Sequence, residues 1–246
     1  LPAGRDLGGD AAVLTRDMTP SLAPHRRAAT DPAAPARAKA RSRDARHGGA
    51  LLGGARIGPN AIIQTAATLV DRVGAAEAAA LLSATTPWRL DHLPTEMVDE
   101  RDFSALMRGV LDHYSVVQAE AIMRESGIRT GDYLLRVRIP RLAQHLLGAL
   151  PRRLGLRLLL SAITRNAWTF AGSAQFVVMH DARGVTAFEL RGCPACRGLA
   201  GDRPVCHYYA ATVEHLVSSI VARQARVREV TCEAAGGAAC RFEIQL

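Results

Sequence analysis

A chain of 246 residues with 48% apolar content can hold one domain or two small ones, and its core must be mostly Leu, Val, Ile and Ala because aromatics reach only 4%. The formal charge of +8 is carried almost wholly by arginine, Lys39 being the sole lysine; beside so much alanine this bias reads as nucleotide composition and not as a phosphate-binding surface, so no nucleic-acid partner is expected. No run of about 18 uncharged apolar residues is present to span a membrane, and "LPAGRDLGGDAAVL" lacks the apolar stretch of an export signal, so a cytoplasmic location is expected.

Residues 1–52 hold 13 alanines, nine basic and five acidic residues, several prolines and few large apolar side chains. Such a segment buries too little surface to offset its ordering entropy, and a disordered tail is expected there. From residue 53 a single α+β domain is expected. "RIGPNAIIQTAATLVDRVG" repeats Ile62, Ala66, Leu69 and Val73 at helical spacing, with Pro59 near its start and Gly74 at its end. "AAEAAALLSATT" predicts a second short helix. "DERDFSALMRGVLDHYS" carries a stripe of Phe103, Leu106, Val110 and Tyr114, and the next helix, in "VVQAEAIMRESGIRTGDYLL", is expected to end near Gly127. Two proline-opened helices follow in "PRLAQHLLGAL" and "PRRLGLRLLLSAITRN".

The period then changes to two. "WTFAGSAQFVVMHD" places Trp168, Phe170, Ala174, Phe176 and Val178 on one face of a strand, and "GVTAFELRG" forms its hairpin partner across "DARG". Residues 206–222 return to helix, with Tyr209, Val213, Leu216 and Ile220 on one side. "RVREVTCEA" and "CRFEIQL" close the chain as two strands joined across Gly236 and Gly237. Helices first, then strand–strand–helix–strand–strand, predict a helical half packed on an antiparallel sheet.

All five cysteines fall in the last 54 residues. An odd, clustered set in a chain without an export signal points to metal or thiol chemistry over structural disulfides. Two groupings are open. Cys193 and Cys196 form C-P-A-C, with Cys206 and His207 ten residues on, as in a zinc knuckle. Alternatively Cys206, Glu229, Cys232 and Cys240 take ligands from one helix start and two arms of a hairpin, and would fill a tetrahedral zinc shell. Glu229 and Cys232 are three apart, which in a flat strand sends them to opposite faces, so this set requires a bulge or a strand end. Unligated cysteines in a small-residue core remain the third reading of the spacing.

"PVCHYYAATVEHL…VREVTCEAAGGAACRFEI" resembles the terminal motif of the 4-vinyl-reductase-type domain family: Pro-Val-Cys, a helix, Arg-Glu-Val-x-Cys, a glycine-containing turn, then Cys-x-Phe. From about residue 55 the chain is similar to bacteriochlorophyll-biosynthesis members of that family. The resemblance implies a structural zinc on Cys206, Glu229, Cys232 and Cys240. It leaves Cys193 and Cys196 outside the set, where they could substitute as ligands, act in redox chemistry, or cap a loop, the last being the default. It further implies a magnesium tetrapyrrole as ligand, with a role as binding, carrier or accessory protein. The pathway's enzymes would be its protein partners, self-association is left open, and so is attachment at the surface of the photosynthetic membrane. The family's vinyl-reductase name implies hydride transfer instead, yet no G-x-G-x-x-G follows a strand and opens a helix, so a reductase would need a cofactor the sequence does not advertise. A small-molecule-sensing or assembly module is the third class.

Trp168, Phe170, Trp88 and Phe176 are the candidates to line an apolar ligand pocket, since flat rings suit a tetrapyrrole face. For Phe176 a plain core position is the stronger reading. Arg136, Arg138 and Arg141 could pair with propionates, although "LLRVRIPRL" is equally a solvated helix boundary. His113, His145, His180, His207 and His215 each could ligate a chlorin magnesium; an ordinary structural or surface role is the expectation for each.

Overall fold

The computed structural model describes residues 54–180 and 186–246. The tail expected over residues 1–52 and the "DARG" turn both lie outside the described residues.

The chain enters through β1 (Arg56–Ile57) and turns at Pro59 into α1 (Asn60–Val73), whose buried face includes Ile62, Ala66 and Leu69. Gly74, at φ 91°, ends it and opens α2 (Ala75–Thr85). β2 (Val98–Asp99) pairs antiparallel with β1, a ribbon too short to be seen in periodicity. Asp99 then caps α3 (Glu100–His113), accepting a hydrogen bond from the Arg101 N–H at 2.8 Å. Phe103, Leu106 and Val110 of α3 are buried, as their spacing requires.

α4 (Val116–Tyr133) starts at a capping box of Ser115 and Gln118. It does not stop near Gly127 but runs two more turns and continues as a π-helical turn, Leu134–Arg138. The reason lies across the interface with α8 (His207–Ile220). A Cβ on Gly127 would stand 2.3 Å from the Tyr208 carbonyl oxygen and 3.0 Å from the Ala211 Cβ. Gly127 is therefore the point of closest approach of two helices, not a helix stop.

α5 (Arg141–Ala149) and α6 (Arg152–Asn166) pack against each other. α6 buries Leu156, Leu159, Leu160 and Ile163, but α5 buries nothing, and Leu142 and Leu146 are 71% and 60% exposed. Residues 133–180 hold seven arginines and no carboxylate. No helix among the described residues is long and apolar enough to cross a membrane.

The expected first strand is shortened. Trp168–Ala171 forms one helical turn, α7, and β3 begins only at Gln175 (Gln175–His180). β4 (Thr186–Arg191) precedes α8, and β5 (Arg226–Thr231) and β6 (Cys240–Gln245) follow it. The four long strands form one antiparallel sheet in the order β3-β4-β6-β5. Phe176, Phe188 and Phe242 stack across three of them, with ring centroids 4.8 and 4.6 Å apart. α8 packs on α4 and on β5, so its N-terminus is set over the β5–β6 hairpin.

Candidate metal centre and ligand pocket

Three pieces of chain bring the cysteines together. Cys206 is the residue before α8, Cys240 opens β6, and Cys232 follows β5. The obstacle of three-residue spacing is removed by a bulge: Glu229 pairs with Phe242 but Thr231 with Arg241, leaving Val230 as the extra residue. Val227 and Glu229 therefore face inward in the usual alternation, and Cys232, not Thr231, is the next inward residue.

Cys206 Sγ lies 3.8 Å from Cys232 Sγ and 3.5 Å from Cys240 Sγ, and Cys232 and Cys240 are 3.7 Å apart. Glu229 Oε2 accepts a hydrogen bond from the Cys206 N–H at 2.7 Å, while its Oε1 is buried without a partner. A buried unpaired acceptor is costly, and beside three thiols this carboxylate oxygen has the chemistry of a cation ligand. Burial, helped by the neighbouring Cys232 charge, pushes the Glu229 carboxyl up to about 9, and burial raises Cys206 well above a free thiol. A dication at this point would reverse both by favouring the ionised ligands.

Cys193 and Cys196 do not cap a loop at a distance. Cys193 Sγ is 3.5 Å from Cys206 Sγ, and Cys196 Sγ is 3.4 Å from Cys240 Sγ. Cys193, Cys196, Cys206 and Cys240 thus form a second set of four with ligand atoms all within 4.8 Å, alongside Cys206, Glu229, Cys232 and Cys240. The C-x2-C spacing was the available signal for this. The groups that hold the loop carried no sequence signal. Glu233 accepts from the Gly192 and Cys193 N–H groups at 2.6 and 2.9 Å. Arg197 donates to the Gly192 carbonyl at 2.8 Å and pairs with the buried Glu100. His207 is not in either set; its Nδ1 lies 3.9 Å from Glu120.

A separate hollow of about 590 Å³ opens between the start of α1, the end of α4 and α7. Its wall includes Trp168, Phe170, Tyr133 and Tyr208, with Arg56 and Arg138 as its cations. Two of the four expected pocket aromatics, Trp168 and Phe170, are therefore in one cavity. Trp88 lines a second hollow of about 450 Å³ and donates its indole N–H to Asp102 at 3.1 Å. Phe176 is in the core stack. Arg138 reaches the cavity, whereas Arg136 and Arg141 are not in its wall. None of His113, His145, His180, His207 and His215 lines it. His215 faces Asp132 at 2.8 Å, His113 faces Glu77 at 3.7 Å, and His145 Nδ1 lies 2.7 Å from the Arg141 carbonyl oxygen.

Residues 186–246, which hold β4, α8, the β5–β6 hairpin and all five cysteines, match the 4-vinyl-reductase-type domain. The "Bacteriochlorophyll synthase 23 kDa chain" of Cereibacter sphaeroides is 41% identical over 189 residues, 77% of this chain and 90% of that one. The protein of the same name from Rhodobacter capsulatus is 38% identical over 191 residues, 76% of this chain and 85% of the other. The chain belongs to this family of 23 kDa chains. Among solved structures, an H-NOX protein from S. oneidensis in the Fe(II)NO ligation state superposes with a TM-score of 0.51 at 10% identity, covering 77% of this chain and 99% of that one. At that identity the likeness shows a shared fold. It places the 23 kDa chain's α+β arrangement among architectures already observed.

Proposed function

We propose that the chain binds a magnesium tetrapyrrole intermediate of bacteriochlorophyll synthesis and presents or carries it between enzymes, with a structural zinc bracing the C-terminal hairpin. The observation that carries this reading is the 590 Å³ hollow walled by Trp168, Phe170, Tyr133 and Tyr208. Its size falls in the range of about 300–1,000 Å³ usual for small-molecule sites. Aromatic faces suit a flat macrocycle, and Arg56 and Arg138 supply cations for its carboxylates. The printed names of the two relatives support the pathway.

Zinc suits the donor set Cys206, Glu229, Cys232 and Cys240: four ligands close a tetrahedral shell and leave no open position for chemistry. The hollow and the thiols are walled by different residues, so the metal supports the fold and does not touch the pigment. The four long strands are all antiparallel, unlike the parallel β-α-β units of a doubly wound dinucleotide site. That supports binding over reduction.

The test is an absorption titration with a divinyl magnesium tetrapyrrole, with and without NADPH, followed by mass analysis of the pigment. Saturable binding with unchanged mass is expected, weakened by Trp168→Ala and Arg138→Gln. A reductant-dependent gain of two hydrogens would replace the carrier by a reductase, and the absence of any spectral shift would reject pigment binding.

A further inference from the structure

We infer that the five cysteines and Glu229 hold two zinc-class divalent ions, bridged by Cys206 and Cys240. The inference builds on the zinc reading above and adds a second ion on Cys193 and Cys196.

The argument is geometric. A tetrahedral ion with metal–sulfur bonds of about 2.3 Å sets its sulfurs about 3.8 Å apart. The measured edges are 3.5 Å for Cys193–Cys206, 3.4 Å for Cys196–Cys240, 3.5 Å for Cys206–Cys240, 3.8 Å for Cys206–Cys232 and 3.7 Å for Cys232–Cys240. All are edges of single-ion tetrahedra. The two four-ligand sets share the Cys206–Cys240 edge and divide the other four ligands between them, Cys193 and Cys196 on one side, Glu229 and Cys232 on the other. Two tetrahedra joined along an edge need six ligands, two of them bridging. Five thiolates and one carboxylate meet that requirement, since a thiolate has lone pairs for two ions.

Charge and burial agree with it. One dication on three thiolates and a carboxylate leaves a residual −2. A second dication, taken with two further thiolates, leaves the residual charge unchanged. The alternative of one ion strands either Cys193 and Cys196 or Glu229 and Cys232, and all four are buried, with relative exposures of 0%, 2%, 7% and 1%. The Cys193–Cys196 loop is also fixed from outside the cluster. Glu233, adjacent to Cys232, takes the Gly192 and Cys193 N–H groups, and Arg197, adjacent to Cys196, is anchored on Glu100. The second half-site is therefore built into the fold by protein–protein bonds. Preorganisation of this kind is what metal half-sites use to set ligand geometry.

The experiment is metal counting on the full chain loaded with zinc, together with the ¹¹³Cd spectrum of the cadmium form. Two ions per chain are expected, with two cadmium resonances coupled through the shared thiolates. Cys193→Ser with Cys196→Ser should reduce the count to one, as should Glu229→Gln with Cys232→Ser. A wild-type count of one that survives Cys193→Ser/Cys196→Ser would overturn the pair and leave the four-ligand zinc intact. A single ion lost in that variant, yet kept in Glu229→Gln/Cys232→Ser, would overturn both. Should either variant fail to fold, the wild-type spectrum still decides: one uncoupled resonance refutes the bridged pair.

Discussion

Replacing Glu100 by Gln tests the clamp that joins the first turn of α3 to the cysteine loop. Glu100 is buried and accepts hydrogen bonds from the Ser173 N–H and hydroxyl, each at 2.7 Å, as well as from Arg197. Gln keeps an acceptor for Ser173 but removes the ionic partner of Arg197 and the charge assistance of every bond. Breaking a buried pair costs about 3–5 kcal/mol, and the retained acceptor and the partial exposure of Arg197 reduce that to about 2–3 kcal/mol. For a domain of this size each kcal/mol moves Tm by about 2–4 °C, so a fall of about 4–12 °C is expected at pH 7. The pH dependence has a definite sign. Burial pushes the Glu100 carboxyl up, but the Ser173 and Arg197 bonds outweigh it and hold the group below its ordinary value. A depressed folded pKa contributes stability above the unfolded value of about 4.3, and that stability disappears as pH falls through the folded value. Thermal melts of wild type and Glu100→Gln at pH 7 and in steps below pH 4.5 should therefore converge in acid. A Tm gap that is absent at pH 7, or that stays constant into acid, would refute the clamp.

Gly127→Ala should destabilise by about 1–3 kcal/mol even though Ala is the better helix former by about 1 kcal/mol, because its Cβ would meet the Tyr208 carbonyl oxygen at 2.3 Å; chemical denaturation measures this, and a stabilised variant would show that α4 and α8 can separate freely. Phe188→Ala, at the centre of the Phe176–Phe188–Phe242 stack, should cost about 3–5 kcal/mol in the same assay, and a loss below 1 kcal/mol would contradict the packing. Trp168→Ala should leave Tm within about 2 °C, since the side chain is 61% exposed, while weakening pigment binding; a large Tm loss would make it a core residue instead. Chelation of the metal should lower Tm sharply without pigment present, as read by calorimetry before and after a strong chelator.

Much of the fold was legible because it is amphipathic. The stripes of α1 and α3 and the inward residues of the C-terminal hairpin follow from period alone. The period also misled. Trp168 and Phe170 fit the alternation of a strand, yet they stand on the single turn of α7, where two aromatics two apart face different directions and one is largely exposed. Gly127 looked like a stop because a glycine's need for close approach is invisible until its partner helix is in place. At the metal centre, the four-residue motif named Cys206, Glu229, Cys232 and Cys240, and the spacing itself demanded the bulge found at Val230. The joining of Cys193 and Cys196 to that group depends on Glu233 and on Glu100, 40 and 93 residues from Cys193 in the chain. No local pattern encodes such bonds.

The stretch from residue 133 to residue 180, with seven arginines and no carboxylate, has a consequence for how its charge can be modulated. Guanidinium groups do not deprotonate in proteins, so apart from His145 and His180 this part of the surface holds the same charge across the physiological pH range. Its pull on any anionic surface is instead weakened by dissolved salt, which confines the field of exposed charges to about 8 Å at 0.15 M. Ionic strength is thus the handle on this face of the protein, and acidity is not.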